Sequence, residues 1–226
     1  MKRFFQSVIT FIVGGIIFIG VPIVSWDPFS ISGFFASAMR FGYVIAVLLL
    51  SAYAAFDIPQ VGRIKSSGVK RIKRQHLAVI FLQVLSLGIV IIGPFCDNRE
   101  LFIIKGPESI RLTGLILYIC GFSLMHFSES YLGRQFSVEV TIQEDHKLIT
   151  DGLFRYIRHP RYLGIIVFAA GIALIFRSWL ALILWLFIII VLLWRISDEE
   201  KLLLQEFSET WTDYIKKTWR LLPFVY

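Results

Sequence analysis

Cysteine is scarce in this chain: Cys96 and Cys120 are the only two, and both lie in or beside apolar runs without metal-ligand spacing. They read as small buried hydrophobes rather than as a disulfide or a reactive thiol. The four histidines, His76, His126, His146 and His159, offer no His-x-x-x-His pair, and there is no Cys-x-x-Cys or carboxylate–histidine helix repeat. A metal site is therefore not expected. Glycine-rich phosphate loops are missing too. Without Gly-x-Gly-x-x-Gly or a Walker loop, a Rossmann or P-loop nucleotide domain is excluded. Ser137, in Gly133-Arg-Gln-Phe-Ser137, lacks the elbow of a lipase-type nucleophile, which argues against nucleophilic hydrolysis.

What the chain has in abundance is apolar sequence. Hydrophobic residues make up 57% of its 226 positions, with a mean hydropathy of +0.73, whereas soluble domains hold roughly 45–50% apolar residues. Several uncharged runs approach the ~20 residues needed to cross a bilayer core. The reading is one all-α, polytopic helical membrane protein of about six transmembrane helices. The runs are Phe4–Val24, Phe41–Phe56, Leu77–Phe95, Leu112–Phe127, Tyr162–Phe176 and Trp179–Trp194. The last two, split only by Arg177-Ser178, make a C-terminal helical hairpin. The first run lacks a small-x-small cleavage site and reads as a retained helix rather than a signal peptide. Beyond the hairpin, Leu202, Leu203, Phe207, Trp211 and Tyr214 keep a helical rhythm, as expected for an amphipathic tail helix leaving the membrane.

The net charge of +7 points to anionic lipid headgroups rather than nucleic acid, because the bases sit between apolar runs. Six of them, Arg63, Lys65, Lys70, Arg71, Lys73 and Arg74, crowd the loop Asp57–His76. That asymmetry predicts cytoplasmic termini and cytoplasmic polar motifs. The segment Trp26–Ser37 on the opposite side carries no base, and Trp26, Phe29, Phe34 and Phe35 suit a membrane interface. Residues 1–128 then form an N-terminal set of transmembrane helices and 129–226 a cofactor-binding and catalytic region.

Two polar clusters break the apolar pattern in that second region. One runs from His146 to Gly164 and holds Arg158-His159-Pro160-Arg161-Tyr162; the other is Arg195-Ile-Ser-Asp-Glu-Glu200. Pro160 disfavours helix at His159 and starts the next helix, while Asp151-Gly152 supplies a turn. Arg195 and Glu199 share a helix face at i, i+4, which by itself fits an interfacial anchor and a surface ion pair as well as a binding site. His76 and His126 read as structural or interfacial.

These clusters resemble the C-terminal signature of the isoprenylcysteine carboxyl methyltransferase and phospholipid N-methyltransferase families. The matching residues are His146-Lys-Leu-Ile-Thr-Asp-Gly152, Arg158-His-Pro-Arg-Tyr-Leu-Gly164, Arg195-Ile-Ser-Asp-Glu-Glu200 and the closing Phe207-Ser-Glu-Thr-Trp-Thr-Asp-Tyr214. The resemblance implies S-adenosyl-L-methionine as cofactor. It would be bound by His146, Lys147, Leu148, Ile149, Phe154, His159, Pro160, Arg161, Tyr162 and Glu199, with Arg158 bracing them and Arg195 as the catalytic residue facing the substrate. The acceptor it implies is a lipidic or prenylated small molecule, with carboxyl O-methylation first. Were the acceptor an amine, Glu200 or His159 would be candidate bases. Phe154 stands where the family usually has Tyr, and Ser208 where it usually has Gly. Membrane sterol-type reductases that use NADPH share a similar Arg-His-Pro-x-Tyr tail. They remain an alternative, as do phospholipid N-methylation and a non-enzymatic membrane scaffold.

Overall fold

The computed structural model describes residues 2–57, 70–71, 75–133, 136, 141–142 and 147–225. The expected helices are present. α1 (Lys2–Gly15), a single π-helical segment (Ile16–Gly20) and α2 (Val21–Trp26) follow one another, and α3 (Ile31–Phe35) and α4 (Ala38–Asp57) come next. Then come α5 (Gln75–Arg99), α6 (Ser109–Leu132), α7 (Pro160–Ile175) and α8 (Trp179–Ile215). Among the described residues the sole sheet is a two-residue ladder, Lys70–Arg71 (β1) antiparallel to Thr141–Ile142 (β2).

Among the described residues, five stretches are long and apolar enough to span a membrane: Phe4–Trp26, α4 within Ala38–Ala55, α5, α6 and α8. The sixth expected helix, α7, has 16 residues, about 24 Å at 1.5 Å per residue and short of a ~30 Å hydrocarbon core. α8 is the reverse case. Its 37 residues extend to roughly 55 Å, so the polar part after Trp194 continues beyond the apolar run. The tail is thus an extension of the last helix, interrupted at Ser208, whose φ of 44° and ψ of −109° leave helical space. Positive φ is the region glycine adopts at least cost, which accounts for glycine being usual at this position in the family that the motifs resemble.

Turns and caps fix the hairpin. Ser178 Oγ accepts the Ala181 amide at 3.1 Å and caps α8. Pro160 opens α7 with its fixed φ, after His159 in a non-helical conformation. The hairpin turn is also tied to the α5–α6 connection, since Ile104 N donates to Arg177 O at 2.6 Å and Trp179 N to Phe102 O at 2.9 Å.

α6 and α7 pack backbone against backbone. A Cβ at Gly114 would lie 2.5 Å from Ile175 N, and one at Gly121 would lie 2.3 Å from Phe168 N. From the other side, a Cβ at Gly164 would meet Met125 N at 2.7 Å and one at Gly171 would meet Tyr118 N at 2.4 Å. Two glycines seven residues apart on each helix therefore form one close seam. Small residues at helix contacts are how membrane helices gain packing energy that lipid cannot offer.

Opposite the polar motifs, the bundle is closed by charge. Asp97 receives Arg111 through Nη2 at 2.6 Å and Nη1 at 3.1 Å, and Arg40 through Nη1 at 3.0 Å, all buried. Arg111 also reaches Ile175 O at 2.5 Å. One carboxylate thus joins α4, α5, α6 and the end of α7. Asp97 and Arg111 fall just outside the apolar runs Leu77–Phe95 and Leu112–Phe127, yet both are buried helix residues, each neutralising the other out of water. The same arginine corrects another expectation. Arg40 Nε donates to Phe34 O at 2.7 Å and Nη2 to Gly33 O at 3.0 Å, and the guanidinium lies 4.9 Å from the Trp26 ring. Trp26 and Phe34 are consequently buried in the core, not at an interface, while Phe29 is almost fully exposed at 96%.

The seam predicts that Gly121→Val destabilises the protein by about 1–3 kcal/mol, the usual cost of overpacking. Gly15→Val, at a helical glycine with nothing within 4 Å, serves as the control. Thermal unfolding in detergent checks this: a lower midpoint for the Gly121 variant alone is expected, and equal midpoints would contradict the seam.

Candidate functional site

The polar motifs converge at the N-terminal end of α7, beside the part of α8 that follows its apolar run. The turn 152–155 is a single 3-10 turn. Gly152 opens it at φ +55°, where an added Cβ would strain the backbone and lie 2.6 Å from the Tyr131 ring, which would have to shift. Phe154 is buried beside Tyr131, ring centroids 6.2 Å apart. Its carbonyl accepts the Tyr214 hydroxyl at 2.6 Å. A hydrogen bond therefore holds the turn even though residue 154 brings no phenol.

The next residues are pinned by the chain's end. Arg158 N donates to Trp219 O at 2.8 Å and His159 N to Arg220 O at 3.1 Å. The Arg158 guanidinium turns to α8 and the tail: Nε reaches Glu200 Oε1 at 2.9 Å, and Nη1 donates to the Thr218 carbonyl and, at 3.2 Å, to its hydroxyl. Glu200 also receives Arg220, Nε at 2.9 Å and Nη2 at 2.8 Å on Oε2. His159 Nε2 stands 3.4 Å from Glu200 Oε1. Glu200 is thus engaged by two guanidinium groups and an imidazole, which removes it as the free base considered for an amine acceptor. His159, buried against the same carboxylate, is likewise tied into this network.

The second half of the site lies one residue back along α8. A helix advances about 100° per residue, so Glu199 faces elsewhere than Glu200. Tyr162 donates its hydroxyl to Glu199 Oε2 at 2.5 Å and accepts from Arg195 Nε at 2.8 Å. Its ring stacks on His159, centroids 5.4 Å apart and planes 12° from parallel. Arg195 and Tyr162 are buried, Glu199 half-buried. Arg195 is therefore not the exposed half of a surface ion pair. Among the described residues Glu199 accepts a hydrogen bond through Oε2, and its other oxygen can accept from a ligand.

The remaining expected residues are distributed around this pair. Pro160 is buried at the start of α7. Arg161 turns toward α6, its Nε 2.6 Å from Glu129 Oε1 and its guanidinium 4.9 Å from the Phe136 ring. Lys147 is exposed, and Leu148 and Ile149 are half-buried. His146 lies outside the described residues, as do residues 58–69 and 72–74 of the basic loop.

Sequence reasoning missed Arg220, Tyr214 as the brace of the turn, Glu129, and the buried hydrogen bond from Gln75 Nε2 to Asp198 Oδ2 at 2.7 Å. Asp198 and Tyr214 lie inside the matching motifs, which is a local signal for both. Arg220 and Gln75 carry no local signal, since their roles come from chain segments that meet only in the fold. His126, read as structural, packs between Tyr53 at 4.9 Å and Phe122 at 6.2 Å.

Comparison with known proteins agrees with the motif reading. The model of the isoprenylcysteine carboxyl methyltransferase (ICMT) family matches residues 114–205. A probable protein-S-isoprenylcysteine O-methyltransferase of Oryza sativa subsp. indica is 31% identical over 123 residues, 51% of this chain and 62% of that protein. The protein-S-isoprenylcysteine O-methyltransferase of Saccharomyces cerevisiae is 32% identical over 119 residues, 50% of this chain and 48% of that protein. The match to each thus spans less than two thirds of the relative's length. A solved structure of the eukaryotic intramembrane Ras methyltransferase ICMT superposes over 98% of this chain and 84% of its own, with a TM-score of 0.57 and 19% identity. The resemblance to this family is borne out over residues 114–205, and the polytopic helical membrane fold is shared along nearly the whole chain.

The geometry predicts that Glu200→Gln lowers stability by roughly 3 kcal/mol, as when one partner of a buried ion pair is removed. Glu209→Gln, at an exposed position of the same helix, is expected to change little. Thermal scanning of the two purified variants tests this, and equal midpoints would contradict the role given to Glu200.

Proposed function

We propose that this chain is an integral membrane methyltransferase using S-adenosyl-L-methionine to methylate the carboxylate of a lipidic or isoprenylated acceptor. The observation that carries the reading is the Arg195–Tyr162–Glu199 arrangement: a buried cation and a half-buried anion meet at one hydroxyl, beside a motif that matches the ICMT family. The relatives named as protein-S-isoprenylcysteine O-methyltransferases support the same reading.

The residues suit such a cofactor. Its sulfonium and amino groups are cationic, and Glu199 offers a carboxylate oxygen facing away from the Glu200 network. His159, Tyr162 and Phe154 supply aromatic faces, with Pro160 and the backbone of 147–149 as further walls. His146, Lys147, Leu148, Ile149 and Arg161 belong to the same cofactor surface in this proposal. Bound there, S-adenosyl-L-methionine supplies an already activated methyl group, so the protein's contribution is alignment rather than acid–base chemistry. A carboxylate acceptor is nucleophilic as it stands, and Arg195 pairs with it by charge-assisted hydrogen bonds that fix its approach. An amine acceptor needs a base, and Glu200 is already engaged by Arg158 and Arg220. That favours the carboxylate over the amine of a phospholipid.

The proposal places residues 129–226 as the cofactor-binding and catalytic region and 1–128 as transmembrane support, with both termini and the site cytoplasmic. The acceptor's apolar portion enters laterally from the bilayer.

Labelled methyl transfer to an S-farnesylcysteine derivative, beside phosphatidylethanolamine, tests the reading. Incorporation into the carboxylate substrate is expected. Glu199→Ala raises the Kd for S-adenosyl-L-methionine at least tenfold, about 1.4 kcal/mol. Arg195→Ala leaves that Kd within threefold and lowers turnover more than a hundredfold. Full turnover by the Arg195 variant, or an unchanged Kd in the Glu199 variant, would contradict these assignments.

A further inference from the structure

A phenol hydroxyl has one proton to give and two lone pairs to accept with. In Tyr162 the proton is committed to Glu199 Oε2 at 2.5 Å, and a lone pair receives Arg195 Nε at 2.8 Å. Tyr162 leaves only 6% of its surface exposed, and its ring is clamped by the parallel His159 ring. His159 is itself fixed by the backbone bond to Arg220 O and by Glu200. The hydroxyl is therefore presented from α7, its ring stacked on His159, while both its partners stand on α8, four residues apart.

The geometry points to Tyr162 as the positioning residue that aligns Arg195 for the acceptor, rather than as a group whose hydroxyl binds the cofactor. This rests on the function proposed above. Arginine has four side-chain torsions, and a guanidinium offers more than one edge to a carboxylate. Anchoring Nε on the phenol fixes the plane of the guanidinium, and a guanidinium held in one plane pairs with a carboxylate in a defined direction. The same phenol proton sits on Glu199 and holds its carboxylate against α7, so one hydroxyl sets the spacing between the cofactor's anion and the acceptor's cation. A misplacement of about 1 Å at such a point can cost on the order of a hundredfold in rate.

Tyr162→Phe isolates the hydroxyl, because the ring and its stacking on His159 remain. The expected result is a KM for the farnesylcysteine carboxylate raised or a kcat lowered, together at least tenfold in kcat/KM. The Kd for S-adenosyl-L-methionine, measured by calorimetry on the detergent-purified chain, stays within threefold. A residue that only supports the fold would move both quantities and the unfolding midpoint together. The second arm sets the same change in an Arg195→Lys background. If Tyr162 acts through the guanidinium, its loss costs markedly less there than in the wild type, since coupled residues are not additive.

Unchanged kcat/KM in Tyr162→Phe overturns the inference, as does a loss of cofactor affinity that accounts for the whole loss of kcat/KM. Equal costs in the two backgrounds overturn it as well. Should Tyr162→Phe fold poorly, Arg195→Lys alone keeps the charge but loses the planar Nε contact with the phenol. That variant is expected to lower kcat/KM at least tenfold, and wild-type kcat/KM in it overturns the inference. A wild-type chain that neither binds S-adenosyl-L-methionine nor transfers methyl removes the functional reading, and the inference falls with it. A wild type that is active while Tyr162→Phe matches it removes the inference alone.

Discussion

Glu200 is the point on which the polar end of the helix bundle hangs. Its carboxylate is largely withdrawn from water, which is costly for an isolated charge. Two guanidinium groups and an imidazole offset that cost, and they come from two stretches of chain: Arg158 and His159 before α7, Arg220 after α8. Satisfying one charge thus draws together the motif, the last helix and the tail. Tyr214 and Thr218 extend the join to the turn at Phe154 and to Arg158. Glu199, the neighbouring residue, points out of this network because of helical geometry alone. Two adjacent acidic residues consequently turn to different neighbours, one to Arg158, His159 and Arg220 and the other to Tyr162.

At the other end of the bundle Asp97 does with Arg40 and Arg111 what Glu200 does with Arg158 and Arg220. Charge clusters at both ends of the apolar bundle fix the axial register of the helices, and the Gly114–Gly171 and Gly121–Gly164 seam brings α6 against α7 between them. α7 can then be short. It begins at the polar level with Pro160 and ends where Arg111 takes the carbonyl of Ile175. The site needs this rigidity, because His159 and Tyr162 are on α7 while Arg195, Glu199 and Glu200 are on α8.

The helices and the two motif stretches were legible in the sequence because both signals are local. Apolar runs of membrane length announce their helices, and Arg158-His159-Pro160 with Arg195 to Glu200 forms a specific pattern. Long-range pairings were not legible. Nothing near Asp97 indicates that Arg40, 57 residues earlier, lies on it, and Arg220 sits in a tail without motif. Trp26 and Phe34 look like interface aromatics until Arg40 folds α3 onto the core. The paired glycines at 114 and 121, 164 and 171 were visible at a seven-residue spacing, but their meaning depends on which helices meet. Ser208 behaves alike: the sequence shows a departure from the family's usual glycine, and only the positive φ explains why glycine is usual there.

The most direct measurement is a side-by-side calorimetric titration of the detergent-purified chain with S-adenosyl-L-methionine and with NADPH. The account predicts saturable binding of the first, one site per chain, and none of the second. Binding of NADPH alone would contradict the central claim and turn the Arg158-His159-Pro160-Arg161-Tyr162 motif toward a reductase.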